Sequence, residues 1–485
     1  MTMNLNFISS SKNLFPRKGA VFVIGTLSSF KKGFHKPFIP DAQAQNFREM
    51  LKSPAMGRSP LQYSSLTGIN DPYKIVMSIL PDKVSKDNSP SRREWIYQQL
   101  EGLEAEERGL VIVAVEDTVY LGGAISGITR RLREVNFKKS AKLKHIDVLA
   151  VDPKGKIVVI DEAMKTLATE TAWACKVVDL PPNRLDPKIF AKEILGKVKG
   201  LAGVTATEIL GKNLQKEGLN GIYNVGKAAV EEPRLVILDY KPRGATKTAV
   251  LVGKGVCYDS GGLSLKTGGG MVGMKGDMGG AAAVVGAFML LAQNKYPHRL
   301  IAAVALVENA IGPSAFRNDD IITMHSGKTV EVNNTDAEGR LLLADALSYC
   351  ARKYKPQIMM DAATLTGAQL VATGLLHAGV VCNRNDLEAM AVRVGRETGD
   401  LVSALPFAPE LFQNEFKSLV ADMVNSVKNR SNAQSSCAAQ FIYSHFEDLD
   451  IPWLHIDMAG PSSTPAGLGT GYGIQLMARL AREYL

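Results

Sequence analysis

The segment from Thr248 to Gln293 constrains the fold more than any other. TAVLVG (Thr248 to Gly253) reads as a buried strand and MGGAAAVVGAFMLLAQ (Met278 to Gln293) as a tightly packed helix of small residues. Between them runs GKGVCYDSGGLSLKTGGGMVGMKGDMGG (253–280), with glycines enough for the backbone to approach a ligand closely. Strand, glycine-rich loop and helix form an α/β crossover, whose loop belongs at the carboxyl edge of a sheet, where ligands bind. This loop carries Lys254, Asp259, Lys266 and Asp277. A phosphate loop is the rival reading. No GxxxxGK(S/T) occurs, however, and two aspartates would repel a phosphate.

A second run, NNTDAEGR (Asn333 to Arg340), precedes the apolar helix marked by Leu341, Leu342, Ala344 and Leu347. Asp336 and Glu338 stand two positions apart, so in an extended segment both side chains leave the backbone on one side. Gly339 is expected to turn the chain and Arg340 to open the helix. The plainer reading is an acidic helix start that complements the helix dipole. Together Asp259, Asp277, Asp336 and Glu338 offer four negative charges and only oxygen donors. Such a set favours hard or borderline divalent ions: zinc, manganese, magnesium or cobalt.

VGKGVCYDSGGLSLK, MKGDMGGAA, NNTDAEGRLLLADAL, DAATLTGA and WLHIDMAG follow one another along the C-terminal portion. In these motifs and their order the chain resembles the cytosolic leucyl aminopeptidase family of two-metal exopeptidases. Toward the N-terminus the resemblance is one of length and layout only. It implies an aminopeptidase that releases N-terminal residues, preferably leucine- or methionine-like, by a metal-activated water. One ion would take Lys254, Asp259, Asp277 and Glu338; the other would take Asp259, Asp336 and Glu338. As a ligand Lys254 must be neutral, its pKa pushed below the ordinary ~10.4 by burial and cations. The resemblance further implies that Lys266 stabilises the oxyanion and Arg340 holds a bicarbonate that relays the proton. Met274 and Ala459 would line the pocket for the first side chain, beside backbone at Thr364, Leu365 and Gly367. Such apolar pockets separate similar side chains by only about 1–3 kcal/mol per methylene. Ser462 makes this pocket more polar than in some relatives. A surface position for Lys266 and an Arg340–Asp345 pair are the plain alternatives. The family commonly forms hexamers, so a homo-hexamer is expected.

At 485 residues the chain is too long for one ordinary core. Strand and helix signals alternate from VFVIGT (21–26) through a helix at Ser91–Leu100 and GLVIVAV (109–115). A helix near Gly127–Val135 and strands IDVLAVD and KIVVIDE come next, then a helix around Ala163–Val177. They indicate a small α/β domain over 1–178, with an oligomeric or regulatory role. DLPPNRLDP (Asp179 to Pro187) marks a boundary by composition. LVILDY, TAVLVG, LIAAVAL, QIMMDAA, AGVVC and WLHID then imply a catalytic domain, 179–485, with a mostly parallel sheet covered by helices on both faces. No run of 18 uninterrupted apolar residues suggests a membrane helix. Five scattered cysteines without CxxC spacing point to a reducing, cytoplasmic setting. The net charge of +9 includes a basic stretch at Lys12, Arg17, Lys18, Lys31, Lys32 and Lys36. Its alternative uses are a targeting segment or an added DNA-binding role, but no recognition helix accompanies it, and peptide rather than nucleic acid is the expected partner.

Overall fold

The computed structural model describes residues 4–10, 14, 19–39, 41–52, 58–68, 72–138 and 145–485. Lys12, Arg17 and Lys18 lie outside the described residues. Two compact units emerge: Met1–Ala172 with Gly395–Leu401, and Trp173–Val394 with Val402–Leu485. The division falls inside the helix Glu162–Asp179, which runs unbroken up to the proline-bearing stretch.

The first unit is built on six strands: β1 (Asn4–Phe7), β2 (Ala20–Thr26), β3 (Leu61–Leu66), β4 (Lys74–Leu80), β5 (Arg108–Ala114) and β6 (His145–Val151). They lie in the order β1-β6-β5-β2-β4-β3, parallel except for β3 against β4. Alternate residues serve opposite faces. Phe22 and Ile24 join the core on one side, and Val21 and Val23 the core on the other. KIVVIDE, expected as a strand, is not one. β1 pairs β6 only as far as Val148, and on the short edge beyond it this segment makes the bridge Val151–Ile157 and the bond from Val158 N–H to the Ala150 carbonyl, while Val159 stays exposed. The helix expected at Gly127–Val135 lies earlier, at Leu121–Thr129, following a turn capped by Asp117.

The second unit's main sheet has β7 (Val204–Leu210), β8 (Arg234–Tyr240), β9 (Thr248–Asp259) and β10 (Arg299–Asn309). A separate three-stranded sheet takes β11 (Ile321–Thr323), β12 (Thr329–Glu331) and β16 (Met423–Val424). The main sheet is completed by β13 (Ile358–Ala363), β14 (Ala378–Cys382), β15 (Val402–Ala404) and β17 (Trp453–Asp457). Its order is β15-β14-β17-β13-β9-β10-β8-β7. The central β17, β13, β9 and β10 are mutually parallel, while antiparallel neighbours join β14 to β17 and β8 to β10 and β7. Of the strands read from the sequence, TAVLVG, LIAAVAL, QIMMDAA and WLHID are these central ones, while LVILDY and AGVVC are the antiparallel neighbours β8 and β14.

The helix Gly279–Gln293 packs on β9, β10 and β13 and against the C-terminal helix Ile474–Tyr484. With the turn before it, Met274–Gln293 is long and apolar enough to meet the length and composition of a membrane span, although Lys275 and Asp277 interrupt its apolar run. The stretch is instead mostly buried within this unit. Its small residues let it lie close to the sheet: a Cβ on Gly280 would collide with the carbonyl oxygen of Ala362. Relief requires the helix or β13 to shift. Gly280→Ala should therefore lower stability by about 1–3 kcal/mol or more. Urea midpoints measure it, and a midpoint equal to the parent protein's would mean that the helix does not approach the sheet this closely.

Candidate functional site

β9 and β13 pair in parallel as far as Gly253 and Ala362, and then they part. β9 continues beside β10 to Asp259, while β13 ends at Ala363 and leads into Thr364–Thr366. The opening between them is the kind of sheet edge that receives ligands in α/β folds. Lys254 is the first residue of β9 beyond that last pair. It therefore sits within the strand, not in the loop that the sequence suggested, and its Nζ donates to the Thr364 carbonyl at 3.0 Å. The glycines from 253 onward hid the continuation of the strand.

Two lysines clamp four carboxylates. Lys254 Nζ lies 2.8 Å from Asp277 and 2.9 Å from Glu338. Lys266 Nζ lies 2.8 Å from Asp259 and 2.5 Å from Asp336. Asp259, Asp336 and Glu338 each bring a carboxylate oxygen within 4.8 Å of the other two. Lys266 is thus no surface residue pointing to water. Arg340 does not pair with Asp345, which accepts instead from the backbone N–H groups of Gly221, Ile222 and His325. Arg340 donates to the Asn425 carbonyl at 2.9 Å and keeps a buried Nε without a partner.

Asp336 and Glu338 converge by a turn, not by an extended run. The N–H of Asp336 donates to the Asn334 side chain, the N–H of Ala337 to the Asn334 carbonyl, and Glu338 is already helical at φ −76° and ψ −38°. Glu338 makes no side-chain capping bond, so the plain acidic helix start does not account for it. Gly339 does not turn the chain either; it is the first residue of the helix Gly339–Tyr354. It is small because a Cβ there would lie 2.8 Å from Lys254 Cε and 2.9 Å from Leu365 Cδ1.

Burial and mutual repulsion dominate the electrostatics. Burial, with Asp259 and the other carboxylates adding, pushes Glu338 up to about 8 against the pull of Lys254. Burial likewise raises Asp277 to about 6, and it raises Asp336. Burial also pulls on Lys254 and Lys266, but their carboxylate neighbours override it and hold both ammonium groups above the ordinary lysine range. Among the protein's own charges Lys254 is therefore protonated, opposite to the neutral amine expected of a ligand. Divalent cations would have to replace that proton. Burial lowers the Arg340 guanidinium to about 10.

The donor set fits such cations. Oxygen atoms of Asp277 and Glu338 are buried with no partner, and four carboxylates meet only two lysines. Satisfied supports surround them. Asn309 donates to Asp259 at 2.8 Å and Thr364 Oγ1 to Asp277 at 2.7 Å.

All these groups line one cavity of about 990 Å³, which also takes in Met274, Thr364, Leu365, Gly367, Ala459 and Ser462. Every candidate residue read from the sequence is therefore brought to one place. Asp457 was not singled out, although it ends the WLHID strand. Its buried carboxylate accepts from the N–H groups of Leu365 (3.1 Å), Thr366 (3.3 Å) and Ala459 (3.3 Å) and from Thr366 Oγ1 (2.6 Å). It ties together two segments of the cavity wall. An aspartate at the carboxyl end of a parallel strand was the available signal.

Fold and site together define an α/β enzyme with a carboxylate-rich cation centre at a sheet edge. The chain belongs to the cytosol aminopeptidase family, whose catalytic domain matches residues 172–478. It is 39% identical to a mouse (Mus musculus) protein described as "Probable aminopeptidase NPEPL1", over 99% of this chain and 92% of that one. The solved leucine aminopeptidase of Caenorhabditis elegans superposes with a TM-score of 0.90 at 32% identity, over 99% of each chain. The leucyl aminopeptidase of Trypanosoma brucei in complex with bestatin gives 0.89 at 33% identity, over 100% of this chain and 96% of that one. This chain is accordingly a peptide hydrolase of the metal-dependent aminopeptidase type.

Removing Asp457 leaves buried donors unpaired, each costing about 1–3 kcal/mol. Asp457→Ala should lower thermal stability and raise KM for a leucyl substrate by roughly tenfold, since 1.4 kcal/mol is tenfold in binding. Asp457→Asn, which keeps an acceptor oxygen, should do less. A folded Asp457→Ala protein with unchanged KM would remove the carboxylate from any part in shaping the cavity wall.

Proposed function

We propose that the chain releases N-terminal residues, preferably leucine- or methionine-like, from peptides with a free amino terminus. In this reading Lys254, Asp259, Asp277, Asp336 and Glu338 hold two divalent ions, zinc or manganese, with magnesium or cobalt as alternatives. The observation that carries it is the gathering of four mutually repelling carboxylates, three of them buried, at the wall of a single cavity beside Lys266 and Arg340. When bound, the ions supply Lewis acidity toward a water, toward the scissile carbonyl and toward the substrate amine.

The chain's own groups do the rest. With the ions bound, Lys254 would offer a neutral amine, the proton that Asp277, Glu338 and Asp259 otherwise hold on it passing to solvent. Lys266, whose carboxylate neighbours keep it protonated, donates toward the carbonyl oxygen as negative charge develops there. Arg340, through its unpartnered Nε, holds bicarbonate as a proton relay. Met274 and Ala459 flank the first side chain, while Thr364, Leu365 and Gly367 offer backbone to the peptide. Ser462 adds a hydroxyl to that wall. The reading carries with it a cytoplasmic homo-hexamer, with residues 1–178 in an oligomeric or regulatory role and 179–485 as the catalytic domain. The added DNA-binding role has no observation behind it among the described residues, where Lys31, Lys32 and Lys36 are simply exposed.

Leucyl anilide should be turned over and N-acetyl-leucyl anilide should not, because acetylation removes the amine lone pair. Activity should climb from neutral to mildly alkaline pH as the substrate amine, with a pKa of about 7.7–8.0, loses its proton. Chelation should abolish it, and elemental analysis should find two divalent ions per chain, with both lost in Asp259→Ala. Comparable rates on blocked and free substrates would sink the exopeptidase reading.

Lys266 and Arg340 separate by their kinetics. Lys266→Ala should lower kcat by a factor on the order of 10²–10³, as for loss of one oxyanion donor. Arg340→Ala should lower the rate by a similar or smaller factor and abolish any stimulation by bicarbonate. Both variants should keep their metal content. Metal loss from Lys266→Ala, or a full bicarbonate response in Arg340→Ala, would reverse these roles.

A further inference from the structure

The cavity also has a wall that carries none of the clustered carboxylates. This wall, from the segment Ser426–Ser436, presents Ser426, Arg430, Ser431, Gln434, Ser435 and Ser436, with no acidic residue among them. All four acidic residues that line the cavity belong to the lysine-clamped cluster. Of the lining cations, Lys254 and Lys266 are engaged by those carboxylates and Arg340 by the Asn425 carbonyl. Arg430 alone is exposed and makes no ion pair among the described residues.

The loop that carries it is braced. Glu415, the nearby carboxylate that could have paired with Arg430, accepts instead from Asn429 N at 3.1 Å and Asn432 Nδ2 at 2.8 Å. Ser431 N donates to Asn429 Oδ1 at 3.0 Å, closing the turn from within. Arg430 is thus held between two anchored residues with its guanidinium uncommitted. A volume of about 990 Å³ lies at the top of the ~300–1,000 Å³ range of small-molecule sites and admits more than one residue of a peptide.

We infer that Arg430 receives a substrate carboxylate on the carboxyl side of the scissile bond, which makes it a specificity-determining residue. The inference rests on the aminopeptidase reading and deepens it. A planar guanidinium matches a carboxylate by two parallel hydrogen bonds. The carboxylate has two sources, the free C-terminus of a short peptide or an acidic side chain just beyond the cleaved bond.

The test compares KM within each protein. One pair is leucylglycylglycine against its C-terminal amide, and the other is leucyl-aspartyl amide against leucyl-asparaginyl amide. In the parent enzyme at low salt at least one anionic member should have the lower KM, by roughly three- to tenfold, as befits a partly solvated ion pair. The first pair reports the terminal carboxylate and the second the side chain. In Arg430→Gln that ratio should fall to about one, and in Arg430→Glu it should invert. Equal KM values in both pairs, or a preference that survives Arg430→Gln, would overturn the inference. Turnover of leucyl anilide by the parent enzyme tests the underlying reading separately. If that fails, the aminopeptidase reading fails; if it succeeds without an anion preference, only the role of Arg430 does.

Discussion

Everything at this site follows from crowding four carboxylates together, three of them where water cannot screen them. Asp259, Asp277 and Glu338 are almost wholly buried, and burial together with the neighbouring carboxylates raises the proton affinity of Asp277 and Glu338. An isolated buried carboxylate would simply neutralise itself. Here the cluster is kept ionisable by Lys254 and Lys266, each bridging carboxylates from different elements. The lysines supply part of the counter-charge and leave Asp277 and Glu338 with unpartnered oxygens. Excess negative charge with vacant lone pairs is the condition under which divalent cations compete well with protons.

The backbone brings this about through one event, the parting of β9 from β13. Before that point both strands are buried and, apart from Asp361, which is bonded to Trp453 and His455, mostly apolar. After it, β9 delivers Lys254 and Asp259, and the loop after β13 delivers the Thr364 carbonyl and hydroxyl. The glycine-rich loop returns Lys266 and Asp277, and the turn before the helix Gly339–Tyr354 adds Asp336 and Glu338. Loops placed this way need anchors. Asn309, Asn425 and Asp457 supply them by fixing loop backbone and side chains with buried hydrogen bonds. Metal-binding residues depend on such outer contacts for their orientation.

Legibility in the sequence tracked how local the determining physics was. TAVLVG, LIAAVAL and WLHID are strands because continuous apolar runs can only be buried, and their grouping into a central parallel sheet could be read directly. The carboxylates could be read because their loops combine unusual glycine content with acidic residues. What depended on partners could not. Lys254 seemed to lie in a loop because the glycines masked a strand completed by β10. Gly339 looked like a turn when its smallness makes room for Lys254 and Leu365. KIVVIDE has the composition of a strand but meets only the short edge of β6 beyond β1, enough for a single bridge. Asp457 and Arg430 are single polar residues whose meaning comes from the far ends of hydrogen bonds and from a shared cavity, which no local pattern encodes.

The cavity that results is electrically asymmetric. In the cluster the carboxylates outnumber the lysines; on the Ser426–Ser436 wall Arg430 stands among hydroxyls and amides, the neighbouring Glu415 being taken up by Asn429 and Asn432. A short peptide with free termini is asymmetric in the same way, amine at one end and carboxylate at the other. In the low dielectric of a cleft such complementarity orients a substrate before any close contact forms, and it penalises the reversed pose at both ends at once. An endopeptidase has no use for this arrangement, because an internal segment of chain brings neither terminal charge. With Arg430 in its proposed role, the charge pattern of the walls and the preference for a free amino terminus would share one physical origin: a cavity that suits the ends of a peptide more than its middle.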